Sequence, residues 1–123
     1  MKIQFLGANR QVTGSRYLLA AGGLKIMIDC GMFQERKFLE RNWQQSPVAT
    51  DSIDFLLLTH GHLDHCGLIP RLVAQGFDRP ILTVEPTVAL AEIIMLDAGR
   101  IQEEDAAYKH KRHKCLISFT CVL

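Results

Sequence analysis

Three histidines and an aspartate fall within six positions in the run Thr59-His60-Gly61-His62-Leu63-Asp64-His65. Histidine is the commonest protein metal ligand, and imidazole together with carboxylate oxygen suits zinc and its borderline neighbours. Gly61 between His60 and His62 permits a tight turn, so that both rings can converge. Asp64 and His65 follow at once and approach from a second angle, with Leu63 expected to tuck the loop into the core. Such a loop can divide its donors between two ions, His60 and His62 on one, Asp64 and His65 on the other. Two metals about 3.5–4 Å apart can clamp the attacking and leaving oxygens of a phosphodiester. The competing reading is a group of surface histidines beside a helix-capping aspartate. The density of donors directly after the apolar run Phe55-Leu56-Leu57-Leu58 favours metal.

A ligand loop needs a strand behind it and a helix ahead of it, and the pattern supplies both. Residues 53–58 form a continuous apolar strand, expected to be covered on both faces. Leu68, Ile69, Leu72 and Val73 predict a helix over 66–75, with Pro70 tolerated in its first turn. Upstream, Ile3 and Phe5 alternate as in a half-buried strand that stops at Gly7, followed by a polar loop over 8–15. Two short apolar runs, 16–20 and 24–28, flank Ala21-Gly22-Gly23 and predict a β-hairpin. The second run ends at Asp29. This aspartate reads equally as a carboxylate that orients a ligand histidine and as a plain turn residue.

Residues 34–45, with Phe38, Leu39 and Trp43 at near-helical spacing, predict a helix stopped by Pro47. Residues 81–84 predict a strand. Pro86 suits the start of a last helix, with Leu90, Ile93, Ile94, Ala98 and Ile101 as its core-facing stripe. Its far end is polar, with Asp105 placed four residues before Lys109. Strands alternating with helices argue for an α/β layered fold.

The bulk numbers agree with one globular domain: 123 residues, 48% hydrophobic and 22% charged. A formal charge of +1 excludes a strong overall pull on nucleic acid or membranes, so any RNA affinity must be local. Cys30, Cys66, Cys115 and Cys121 make no CxxC pair, which argues against a thiolate zinc knuckle or a disulfide framework and for a reducing cytoplasm. The N-terminus is too polar for a signal-peptide core, and no apolar run approaches the ~20 residues of a membrane helix.

The sequence resembles the metallo-β-lactamase superfamily, whose HxHxDH signature is matched by His60, His62, Asp64 and His65. More narrowly it resembles the β-CASP branch of RNA-processing nucleases. The stretches that carry this are Val12-Thr13-Gly14-Ser15, Ile28-Asp29-Cys30-Gly31-Met32-Phe33-Gln34 and the run from Leu58 to Pro70. Pro86-Thr87, Met95-Leu96-Asp97 and Ile101-Gln102-Glu103-Glu104 also fit. One departure is Gln11, where the family more often has an acidic residue. The resemblance implies an αββα sandwich, here its N-terminal portion: mostly one mixed sheet with helices on one face. It implies a zinc-dependent hydrolase acting on RNA, with two zinc ions in the complete domain. His60, His62, Asp64 and His65 would be metal ligands, and Asp64 and Asp29 the catalytic carboxylates.

Family members continue further, to another ligand histidine, a bridging aspartate and the inserted β-CASP domain. The expected organisation here is therefore a partial domain over 1–113 and a divergent tail over 114–123, read as a truncated or frameshifted frame. With two ligands per ion, against the usual three plus water, weak metal binding and little turnover are expected of the isolated chain. An apolar sheet face without its second layer favours self-association. His110 and His113 sit in a charged stretch, and the basic cluster Lys109, Lys111, Arg112 and Lys114 reads better as a solvated helix end than as a phosphate patch. Two alternatives stand beside the ribonuclease: a superfamily hydrolase of esters, thioesters or lactones, and a non-catalytic fragment that keeps the fold without the chemistry.

Overall fold

The computed structural model describes residues 1–113, apart from the side chains of 105, 106 and 109–113. The expected tail, the basic cluster, His110, His113 and the pairing of Asp105 with Lys109 therefore lie outside the described residues. Five strands form one sheet in sequence order: β1 (Lys2–Phe5), β2 (Tyr17–Ala21), β3 (Leu24–Ile28), β4 (Phe55–Leu57) and β5 (Ile81–Leu82). The first three pair antiparallel, and β3–β4 and β4–β5 pair parallel, which makes the sheet mixed. The β2–β3 hairpin closes through Gly22 and Gly23, both at positive φ. A two-residue hairpin turn with φ > 0 at both positions matches strand twist and favours glycine there.

Parallel neighbours need crossovers, and the segments between them supply helices. Residues Arg36–Trp43 form a 3-10 helix, not the α-helix expected over 34–45. Leu39 and Trp43 are exposed and the buried residue is Asn42. Its side-chain amide donates to the Phe33 carbonyl (2.9 Å) and accepts from the Phe33 N–H (2.8 Å), so a polar staple holds this segment where an apolar stripe was expected.

The helix expected over 66–75 is divided into α1 (Leu63–Cys66) and α2 (Ile69–Ala74). The break has a cause: the Leu68 N–H donates to the Cys30 carbonyl at 2.9 Å instead of continuing α1. Pro70 sits in the first turn of α2, where its missing N–H has no intrahelical partner to lose. The last helix, α3 (Glu85–His113), begins beside Pro86 as expected. Its inner face matches the expected one at Ile94 and Ala98 and differs elsewhere. Thr87 and Ala91 are buried and Ile94, Met95 and Ala98 half-buried, whereas Leu90, Ile93 and Ile101 face outward. No helix among the described residues is long and apolar enough to cross a membrane.

Register decides which side chains share a face, because directly opposed residues project together. One face carries Leu18, Met27 and Leu56 at its centre, all buried, with Lys2, Gln4 and Lys25 toward the edge. Leu68, Ile69, Leu72, Phe77 and Ala91 join those three in one core. Burying such a side chain is worth about 1.5–3 kcal/mol. The opposite face is apolar throughout: Ile3 and Phe5; Tyr17, Leu19 and Ala21; Leu24, Ile26 and Ile28; Phe55 and Leu57; Leu82. None of these is buried. The expectation of β1 as half-buried fails for this reason, since all four of its residues are exposed. Likewise β4 is fully covered on the side of Leu56 and only partly on that of Phe55 and Leu57.

Candidate metal centre

The histidine loop leaves the C-terminal end of β4, and β3 ends beside it at Asp29. Backbone bonds tie the two ends together. The Cys30 N–H donates to the His65 carbonyl at 2.8 Å, Met32 N–H to Leu63 at 3.1 Å and Ser15 N–H to Asp64 at 2.9 Å. Gly31 is obligatory at this crossing, since a Cβ there would lie 1.6 Å from the Asp64 carbonyl oxygen. Gly61 behaves differently from the expected tight turn. Its φ is not positive, and its missing side chain makes room for α3, whose Ala91 nitrogen would be 3.0 Å from an added Cβ. The anchor also differs: Leu63 is half-buried, and the loop is pinned by fully buried Cys66, whose thiol donates to the Gly61 carbonyl at 3.4 Å.

Asp29 is the hub. It is 2% exposed and adopts a left-handed φ of 58°, a conformation that aspartate tolerates better than most residues. Its Oδ1 accepts from the Thr59 N–H at 2.8 Å and the Thr59 hydroxyl at 2.9 Å. Its Oδ2 accepts from the Ser15 hydroxyl at 3.1 Å and lies 2.7 Å from His65 Nδ1. The contact holds the His65 ring with Nδ1 toward Asp29 and Nε2 on its far side, the nitrogen from which an imidazole so held can reach a metal. That Nε2 lies 3.5 Å from Asp64 Oδ2. Asp29 thus holds the His65 ring and also stands at a turn, so both of its readings remain compatible with the geometry.

The three rings cluster. His60 lies 3.8 Å from His65 and 4.7 Å from His62, centroid to centroid. Desolvation pushes the His60 imidazole below its ordinary pKa, reinforced by the neighbouring His65 and then His62. A neutral imidazole is the form that binds metal. His62 precedes α1 and is exposed, and among the described residues no hydrogen bond holds its ring. No three donor side chains among the described residues already surround one metal-sized point. The donor set nonetheless fits a divalent ion: imidazoles and carboxylate, with His65 already presenting Nε2. Both Cys30 and Cys66 are buried, and burial pushes the Cys30 thiol up to about 11 and that of Cys66 above its ordinary value.

The family model described as metallo-beta-lactamase superfamily matches residues 10–109. The chain belongs to that superfamily. Within curated proteins it is 42% identical to Ribonuclease TTHA0252 of Thermus thermophilus, over 85% of this chain and 24% of the relative. It is 36% identical to Integrator complex subunit 11 of Danio rerio, over 82% and 18% respectively. It is 27% identical to transcription termination factor FttA of Methanocaldococcus jannaschii, over 98% and 20%. The chain thus spans about a quarter or less of the length of these relatives. The mixed five-stranded sheet with helices on one face is the α/β arrangement expected of a superfamily member.

Two residues at the hub had no role assigned from sequence. Ser15 and Thr59 both stand inside the stretches that carry the family resemblance, which was the available signal. Their function depends on contacts across 14 and 30 positions to Asp29, and no local pattern encodes those.

Proposed function

We propose that this chain is the ligand-bearing portion of a zinc-dependent, RNA-processing ribonuclease of the β-CASP branch. The observation that carries the reading is Asp29 holding His65 with Nε2 turned toward Asp64, beside two more imidazoles. Similarity to a ribonuclease over most of the chain supports RNA as substrate. In this reading His60 and His62 serve one zinc, and Asp64 and His65 a second. The ions, when bound, supply Lewis-acid polarisation of a phosphoryl group and activation of water at neutral pH. The protein's share is orientation: Asp29 fixes one ring, α1 fixes the direction of Asp64, and the shallow apolar groove of about 340 Å³ along Leu57, Thr59, Leu82 and Val84 borders the loop.

With two protein ligands to each ion in this reading, against the usual three plus water, metal binding by these residues is weak and turnover low. Zinc titration of the purified chain against its His62→Ala variant tests the site. Loss of zinc binding in the variant supports it, and equal binding rejects it. Robust metal-dependent RNA cleavage by the same chain, abolished by His62→Ala, would contradict the low activity. Supplying a thioester in parallel with RNA to the same chain separates the ribonuclease from a superfamily thioesterase.

A further inference from the structure

Thr59 stands between the two histidines whose rings stack closest. Its Oγ1 is 2.9 Å from both oxygens of Asp29 and 3.1 Å from His60 Nδ1. A hydroxyl has one proton, and an ionised carboxylate can only accept. The Thr59 proton is therefore committed to Asp29, and the hydroxyl turns a lone pair toward His60 Nδ1. A bare Nδ1 at that distance would set lone pair against lone pair, whereas Nδ1–H makes a hydrogen bond. We propose that Thr59 is a positioning residue that fixes His60 as the Nδ1–H tautomer and so presents its Nε2 to the metal pocket.

Asp29 thereby sets two rings, His65 directly and His60 through one hydroxyl. No other hydrogen bond to the His60 ring occurs among the described residues. The Thr59 N–H bond to Asp29 is separate from this role and survives removal of the hydroxyl. The part of the inference that concerns metal rests on the zinc reading above; the part that concerns the tautomer does not.

The two are separable by experiment on the full 123-residue chain. Nitrogen-15 NMR of the imidazoles, recorded without metal at neutral pH, reads which ring nitrogen of His60 carries the proton. Wild type and Thr59→Ser are expected to show Nδ1–H, and Thr59→Val, which keeps the shape but not the hydroxyl, to shift toward Nε2–H. Zinc affinity should fall about 10–100-fold in Thr59→Val, as for other outer partners of ligand histidines, and be largely kept in Thr59→Ser. A wild-type His60 protonated on Nε2 would overturn the inference even if Thr59→Val did not fold. So would an unchanged His60 tautomer in a folded Thr59→Val. A wild-type chain with the Nδ1–H tautomer and no zinc affinity would uphold the inference for the ring and reject the metal reading instead.

Discussion

The two faces of the sheet invert the usual distribution of polarity. The face that packs against helices includes Lys2, Gln4 and Lys25, yet its centre is dry: Met27 and Leu56 are both 0% exposed. The face made wholly of apolar side chains is the open one, with Phe5 60% and Leu82 49% exposed. Phe5 and Tyr17 meet edge to face there, centroids 5.6 Å apart. Five strands of aligned apolar residues form a contiguous patch of the kind soluble monomers rarely expose. The difference teaches that apolar character alone does not decide which face of a sheet is buried. What folds these residues is the mixed face, and what the apolar face contributes depends on what covers it.

Leu56 and Leu57 are adjacent in β4 and project to opposite faces, so they test the contrast with the same substitution. Leu56→Ala should cost about 2–5 kcal/mol, as large-to-small changes in packed cores do, while Leu57→Ala should cost less than half as much. Urea unfolding of the two variants measures both. Equal costs would mean that the open face is covered in solution, by a second copy or otherwise.

The hub comes next in size. Asp29 is buried, but the rings around it are reached from outside, so changing it should affect metal more than fold. Asp29→Asn keeps the shape and presents only one acceptor oxygen for the donors now shared between two. Zinc affinity should drop by about 10–100-fold. Competition against a chromophoric chelator checks this; an affinity within about threefold of wild type would remove Asp29 from the orienting role.

The open face should announce itself as association. The weight-average sedimentation coefficient of the wild-type chain is expected to rise with concentration, and the double variant Phe5→Lys, Leu82→Lys to flatten that rise without loss of the helical circular dichroism signal. A wild-type monomer that is stable across the concentration range would break the comparison between faces.

How much of this the sequence encodes varies with the span of the contact. The hairpin at Gly22-Gly23, the apolar strand before His60 and the start of α3 at Pro86 are local signals, and all three stand in the structure. The clustering of the His60, His62 and His65 rings was equally legible, because the three residues share one loop. The inner face of α3 was legible only at Ile94 and Ala98, since Leu90, Ile93 and Ile101 share a helical stripe with them but are exposed. Both Ala91 and Leu90 approach Gly61, yet Ala91 is buried and Leu90 exposed, a difference set by tertiary packing that periodicity does not encode. The 3-10 segment at Arg36–Trp43 was missed because Asn42, a polar residue, is what anchors it. Ser15 and Thr59 lie inside the stretches that carry the resemblance, but their bonds to Asp29 join three separate loops.

The smallest effect sits on neither face, at the loop between β1 and β2. Glu35 accepts from the backbone N–H groups of Val12 and Thr13, at 3.0 Å each, and from the Thr13 hydroxyl. The Thr13 hydroxyl, ahead of its backbone N–H, holds the Glu35 carboxyl down at about 2, from an ordinary value of 4.5. A carboxyl depressed by folding stabilises above its unfolded value and loses that contribution as pH falls toward its folded value. The melting-temperature gap between wild type and Glu35→Gln should therefore be constant above about 4.5 and narrow steadily as pH falls toward about 2. Because the group is exposed, the gap should be small and shrink further in salt. A gap that is independent of pH across this window would mean that the clasp works through shape and neutral hydrogen bonding, and that the charge of Glu35 contributes nothing to holding the loop beside the hub.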